Sequence, residues 1–151
     1  MYEYLKKYIN VDSNGKHRFF KVEEGDIEQA EKRMGFEFPN CIKEFYREIG
    51  YGFIGKDPNF YNRIMHPNDI ADFVCDDEVY EYVDKSLYDD DELVFMHIDS
   101  EDFVTIKCSG ESEGKIMLFG KKIANSFEEL IEGMYKNPDY IHLALKNSVR
   151  E

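Results

Sequence analysis

Residues 22–52, VEEGDIEQAEKRMGFEFPNCIKEFYREIGYG, read as two helices separated by a proline and closed by glycine. The first should begin among Glu24 to Asp26, where acidic side chains meet the unpaired amides and the positive end of the helix dipole. From there Ile27, Ala30 and Met34 fall on one narrow apolar stripe, with Glu28, Lys32 and Arg33 opposite. Gly35 supplies the positive φ that ends a helix at least cost, and Phe36 is placed to fold back on the stripe. Pro39 lacks the amide that a first turn would leave unpaired, so it opens a second helix. That helix carries Ile42, Phe45, Tyr46 and Ile49 at i, i+3, i+4 and i+7, and Gly50 and Gly52 stop it. A hairpin this short cannot bury both stripes against itself, so a sheet must cover the remainder.

The sheet is expected downstream. Residues 93–98, 103–108 and 115–119 are short runs rich in β-branched and aromatic residues, separated by polar turns at 99–102 and 109–114, the spacing of an antiparallel meander. Residues 121–124 add an edge strand, 18–22 and 60–65 are further extended candidates, and 52–57 read as loop. Short helices are expected over 1–10 and 67–74, and a helix-length segment over 79–83. Ser126 with Glu129 forms a capping box ahead of Phe127, Leu130, Ile131 and Met134; Pro138 breaks that helix, and a last one follows over 139–148 through Ile141, Leu143, Ala144 and Leu145. The fold class is therefore α+β: one domain with an antiparallel meander packed by an N-terminal two-helix hairpin and C-terminal helices.

The acidic start with Ile27, Ala30-Glu31, Met34-Gly35, Phe38-Pro39, Phe45-Tyr46 and Gly50 resembles the N-terminal signature of the SUKH superfamily, of the Smi/Knr type. Asn62-Arg63-Ile64 with Pro67-Asn68-Asp69-Ile70 looks like its central segment, and Ser126 to Ile131 like its closing helix. The resemblance covers residues 22–131, and the helix over 138–151 lies outside it. It implies a bacterial immunity protein that binds and neutralises a toxin, often a nuclease. Every matched residue belongs to a packing pattern; none carries chemistry, so the likeness speaks to fold first and to function by analogy. Glu31 is expected to anchor backbone donors or pair with a nearby base.

Charge is the second informative feature. The chain carries 32 acids against 19 bases, a net charge of −13. Residues 1–60 hold 11 acids and 10 bases, residues 115–151 hold 5 and 6, and residues 61–114 hold 16 and 3, so the middle third carries the whole imbalance. Such self-repulsion lowers stability while strengthening the outward field. Solubility with incidentally acidic loops is one reading, and a surface for a cationic protein is the other. Under the second, the charged contacts are Asp76, Asp77, Glu78, Asp89, Asp90, Asp91, Glu92, Asp99, Glu101 and Asp102, with Tyr80, Tyr82 and Tyr88 as aromatic anchors. Asp76, Asp77 and Glu78 also suit helix capping, whereas residues 89–92 precede a strand and cap nothing obvious.

Other function classes find no support. A net negative domain repels a phosphate backbone, so nucleic acid is not an expected partner. There is no Gly-rich phosphate loop, no G-x-S-x-G, no H-E-x-x-H and no histidine near a cysteine or serine, so an enzyme is not expected. His97 beside Asp99 reads as a packed or surface strand residue more readily than as an acid/base pair. Cys41, Cys75 and Cys108 are read as reduced, and no metal or cofactor is expected: Asp12-Ser13-Asn14-Gly15 is a turn without calcium-loop spacing, and consecutive carboxylates at 89–92 point in different directions. The polar N-terminus and the lack of a long apolar run point to the cytosol. Two roles follow, a toxin-binding immunity protein or a non-catalytic scaffold of the same fold, as monomer or homodimer.

Overall fold

The first helix, α1, spans Glu24–Met34 and ends at Gly35, whose φ of 84° lets its amide donate to the Glu31 carbonyl at 2.9 Å. The return differs from expectation. Phe36 is 44% exposed, and Phe38 is the buried residue, packed edge-on against Tyr46 at 5.8 Å. The cause is Glu31, whose carboxylate accepts from the Phe38 amide at 2.7 Å and lies 3.4 Å from the Lys43 ammonium. This anchor fixes the path after Gly35 so that the second aromatic points inward. Helix α2 follows over Asn40–Glu48, with the Pro39 carbonyl accepting from the Ile42 and Lys43 amides. Its buried residues are Ile42, Phe45 and Tyr46, with Ile49 just beyond.

The computed structural model describes residues 1–11, 15–56, 60–99 and 101–148. The turn expected at 12–15 lies largely outside them. Among the described residues seven strands form one sheet, β1 Arg18–Phe20, β2 Tyr51–Phe53, β3 Arg63–Ile64, β4 Glu92–His97, β5 Phe103–Lys107, β6 Ile116–Leu118 and β7 Lys121–Ala124, each antiparallel to the next and in chain order across the sheet. The meander thus extends further towards the N-terminus than expected. Strand β2 falls partly where a loop was read. A Cβ on Gly52 would sit 2.3 Å from the Arg18 carbonyl oxygen, so the missing side chain is what lets β1 lie alongside. Strand β3 is only two residues of the expected 60–65.

Helix α3 spans Pro67–Val74 and α4 spans Phe127–Lys136, the latter with Ser126 Oγ accepting from the Glu129 amide at 3.1 Å and the Glu129 carboxylate accepting from Asn125 N. The core centres on Phe45, Phe95 and Phe127, whose rings meet at 5.4 Å in successive pairs and join α2, β4 and α4. Tyr46 ties α2 to the sheet by donating to the Met65 carbonyl at 2.6 Å. The last helix, α5 Tyr140–Ser148, docks on the sheet edge: Tyr140 donates to the Ile123 carbonyl at 3.0 Å, and its ring lies where a Cβ on Gly133 would be. Ile141 is buried while Leu143 stays exposed. A 3₁₀ turn, Glu3–Tyr8, occupies the N-terminal segment and buries Leu5.

Residues 79–83 do not form the expected helix. Two 3₁₀ turns, Glu78–Tyr80 and Lys85–Leu87, take its place. The Asp77 and Asp84 carboxylates accept from the Val79 and Ser86 amides at 3.0 and 3.1 Å, local bonds that compete with helix continuation.

Candidate partner-binding surface

Between α3 and β4 the chain crosses one face of the sheet as an acidic strap. Register places Val94, Thr105 and Met117 in a row on this face, while alternation puts Ile106 on the other. Tyr80 holds the strap down. Only 7% exposed, it packs against Phe73 at 5.4 Å and Phe103 at 6.0 Å, so it serves the core and is not presented as an anchor. Tyr88 is half-buried against Phe73 at 6.1 Å, and burial pushes its phenol up to about 12. Tyr82 is exposed. Asp76 pairs with Lys85, which also donates to the Phe73 carbonyl; Asp77 caps the first 3₁₀ turn, and Glu78 faces solvent.

The remaining acids fall into two groups. Residues 89–92 gather round Lys107 of β5, whose Nζ lies 2.8 Å from Asp89, 3.0 Å from Asp91 and 3.4 Å from Glu92. The lysine side chain is 12% exposed and that of Glu92 7%. Thr105 donates to Glu92 at 3.1 Å, and the Asp91 carbonyl accepts from the Cys108 amide at 2.8 Å. Hydrogen bonds to Asp89 and Asp91 hold the lysine pKa well above its ordinary value. This group fastens the start of β4 to the end of β5. Of the four, Asp90 has no such tie and is exposed.

The second group closes the β4–β5 turn. Asp99 accepts from the amides of Glu101 and Asp102, both at 3.0 Å. The Asp102 carboxyl is raised from 3.8 to about 6, first by burial, then by its hydrogen bond with Asp99 and the charges of Asp99 and Glu101. Among the described residues no base forms an ion pair with Asp99, Glu101 or Asp102. All three bases of residues 61–114 are engaged elsewhere: Arg63 with Asp69 at 2.7 Å, Lys85 with Asp76, and Lys107 as above. His97 stacks flat on Phe103 at 4.5 Å, the packed one of the two roles expected of it.

Exposed apolar side chains accompany this turn, and the sequence reading did not select them: Tyr61, Leu87 and Phe119. Tyr82 joins them, its phenol raised by burial and by Glu101 and Tyr61 nearby. Phe119 is the most informative. With Gly120 it makes the two-residue loop between β6 and β7, both at positive φ (54° and 73°), a turn that favours asparagine and glycine. A phenylalanine there is strained, by roughly 1–3 kcal/mol for such conformations, and it is 61% exposed. That signal, an aromatic before glycine between two short strands, is present in the sequence. Two clefts meet at Phe119. One of about 310 Å³ lies between the strap at Leu87 and Tyr88 and the sheet at Phe103, Thr105 and Met117; the other, of about 330 Å³, lies against α5. Asp102 and Leu118 line both.

Among the described residues no group of three or more histidine, cysteine or acidic side chains is placed to hold a metal, and the three cysteines are free thiols. No helix of the described residues is long and apolar enough to cross a membrane. The arrangement sets carboxylates that have no ion pair among the described residues beside exposed aromatic rings.

A protein of Bacillus subtilis (strain 168) named Immunity protein YxxD is 29% identical over 137 residues, 88% of this chain and 93% of its own length. No solved structure matches the chain at a significant level. The model of the SMI1 / KNR4 family (SUKH-1) matches residues 21–133, and the chain belongs to that family.

Proposed function

We propose that this protein is an immunity protein that binds a toxin domain in the cytosol and neutralises it, without catalysis of its own. The family and the immunity protein of B. subtilis support the role. The observation that carries the mechanism is the β4–β5 turn, whose three carboxylates have no ion pair among the described residues although charge pairing engages every base of the middle segment. A nuclease holds phosphates in a basic groove, and a carboxylate surface of opposite sign occupies that groove in their place. The uncompensated charge also steers the encounter, towards roughly 10⁸–10⁹ M⁻¹s⁻¹ at low salt.

The contacts we assign are Asp99, Glu101 and Asp102 with Tyr82, joined by Tyr61, Leu87 and Phe119 as apolar anchors. Asp77, Glu78 and Asp90 contribute field; Asp76, Asp89, Asp91 and Glu92 are tied up in ion pairs within the protein, and Tyr80 is buried. Co-expression with any toxin domain that its gene neighbourhood encodes tests the role. Survival is expected with this protein and death without it; equal killing in both cases rejects the immunity reading.

A further inference from the structure

The 330 Å³ cleft against α5 sits at the small end of ligand-sized cavities, roughly 300–1,000 Å³. Its walls are largely apolar, formed by Ile98 and Leu118 from the sheet side and Ile141 and Leu145 from α5, with Asn62 and His142 also in the lining. Asp99 and Asp102 line it, and Phe119, largely exposed, forms part of its rim. Among the described residues no lysine or arginine lines it. An apolar side chain entering here would strip water from two carboxyls without giving them a partner, which is unfavourable. An anion would face two carboxyls, with Asn62 and His142 the remaining polar side chains of the lining. A lysine would bring a compact, strongly hydrated charge, whereas arginine is more weakly hydrated, forks across two carboxylates and stacks on aromatic faces.

We propose that this cleft receives one arginine side chain of the partner protein, its methylenes along Leu118 and Ile141, its guanidinium bridging Asp99 and Asp102, and its flat face against Phe119. The inference rests on the immunity reading for the partner's identity as a toxin, but the cleft can be tested alone. In a ¹⁵N-labelled sample, N-acetyl-arginine amide should produce saturable shifts at the amides of Asp102, Phe119, Ile141 and Leu145. The citrulline analogue, equal in shape but uncharged, and the lysine analogue should each bind about tenfold more weakly or worse, the factor expected for loss of a charge-assisted hydrogen bond.

Asp102→Asn keeps a donor for Asp99 and should weaken the arginine probe about tenfold. Leu145→Phe fills the cleft from the α5 side without altering charge and should abolish saturation. Equal binding of arginine and citrulline, equal binding of lysine, no saturable shift, or shifts confined to residues 89–92 would each overturn the assignment. In cells, full protection by both Asp102→Asn and Leu145→Phe overturns the cleft while leaving the immunity role intact. Failure of the unaltered protein to protect overturns the role instead, and the arginine titration then still decides the cleft.

Discussion

Residues 89–92 and residues 99–102 are both acidic runs at ends of β4, yet the fold treats them oppositely. The first is gathered by Lys107 into ion pairs and a threonine hydrogen bond. The second spends one carboxylate on closing a turn and leaves the rest of its charge unmatched by any ion pair among the described residues. One lysine separates them. Density of acids along a chain therefore says little about function until the position of each counter-charge is known, because a paired carboxylate projects a weaker field and is already desolvated towards its own partner.

The largest effect that would break this contrast is on stability. Lys107→Met leaves the poorly exposed Glu92 carboxylate beside Asp91 with no cation and should destabilise the protein by about 2 kcal/mol, read as a lower urea midpoint at unchanged slope. No change in midpoint would mean that the first run is held by something other than its lysine. Next comes association. Asp99→Asn, Glu101→Gln and Asp102→Asn together should slow capture of the toxin domain about tenfold at low ionic strength and flatten its salt dependence, against about twofold for Asp89→Asn with Asp91→Asn. Equal slowing would erase the distinction drawn between the runs.

A smaller effect sharpens the picture at the hairpin tip. Phe119→Asn puts the favoured residue at a positive φ and should stabilise by about 1 kcal/mol, a rise in Tm of roughly 2–4 °C, while weakening capture of the toxin. A variant both less stable and fully active would show that the phenylalanine is there for packing. The smallest effect concerns Asp102. Its carboxyl ionises at about 6 when folded against 3.8 ordinarily, so its contribution to stability is complete below pH 3.8 and lost as pH rises through 6. Asp102→Asn should remove that decline and leave the protein more stable at pH 7 by about 1 kcal/mol at most, because solvent screens a partly exposed carboxyl. Urea titrations at pH 4, 5, 6 and 7 read the difference.

What could be read from the sequence was whatever local rules determine. The stripe of α1 and α2, the Gly35 stop, the Ser126 and Glu129 cap, and the strands of the C-terminal meander all depend on residues within a few positions of one another, and all are present. The misreadings at Gly52, Tyr80 and residues 89–92 share a non-local cause, whereas the helix expected over 79–83 gives way to local carboxylate bonds. Gly52 looked like a helix stop because the Arg18 carbonyl that requires a bare α-carbon lies 34 residues earlier in the chain. Tyr80 looked like a surface anchor because its covering rings, Phe73 and Phe103, come from a helix and a strand on either side of it. Residues 89–92 looked free because Lys107 is on the next strand. Of the candidate surface, the turn acids and Tyr82 were in view; Phe119, Leu87 and Tyr61 were not, since exposure of a hydrophobic residue is settled only by what fails to cover it.

The strap over residues 76–88 supplies Tyr80 to the interior but, among the described residues, no rung to the β-ladder, which runs from β1 to β7 without it. Strand registration is consequently indifferent to what the strap says between its pegs. Exposed positions of this band, Glu78, Tyr82 and Leu87 among them, can change without removing a ladder hydrogen bond or a core side chain. Those positions are a page that can be rewritten without rebinding the book.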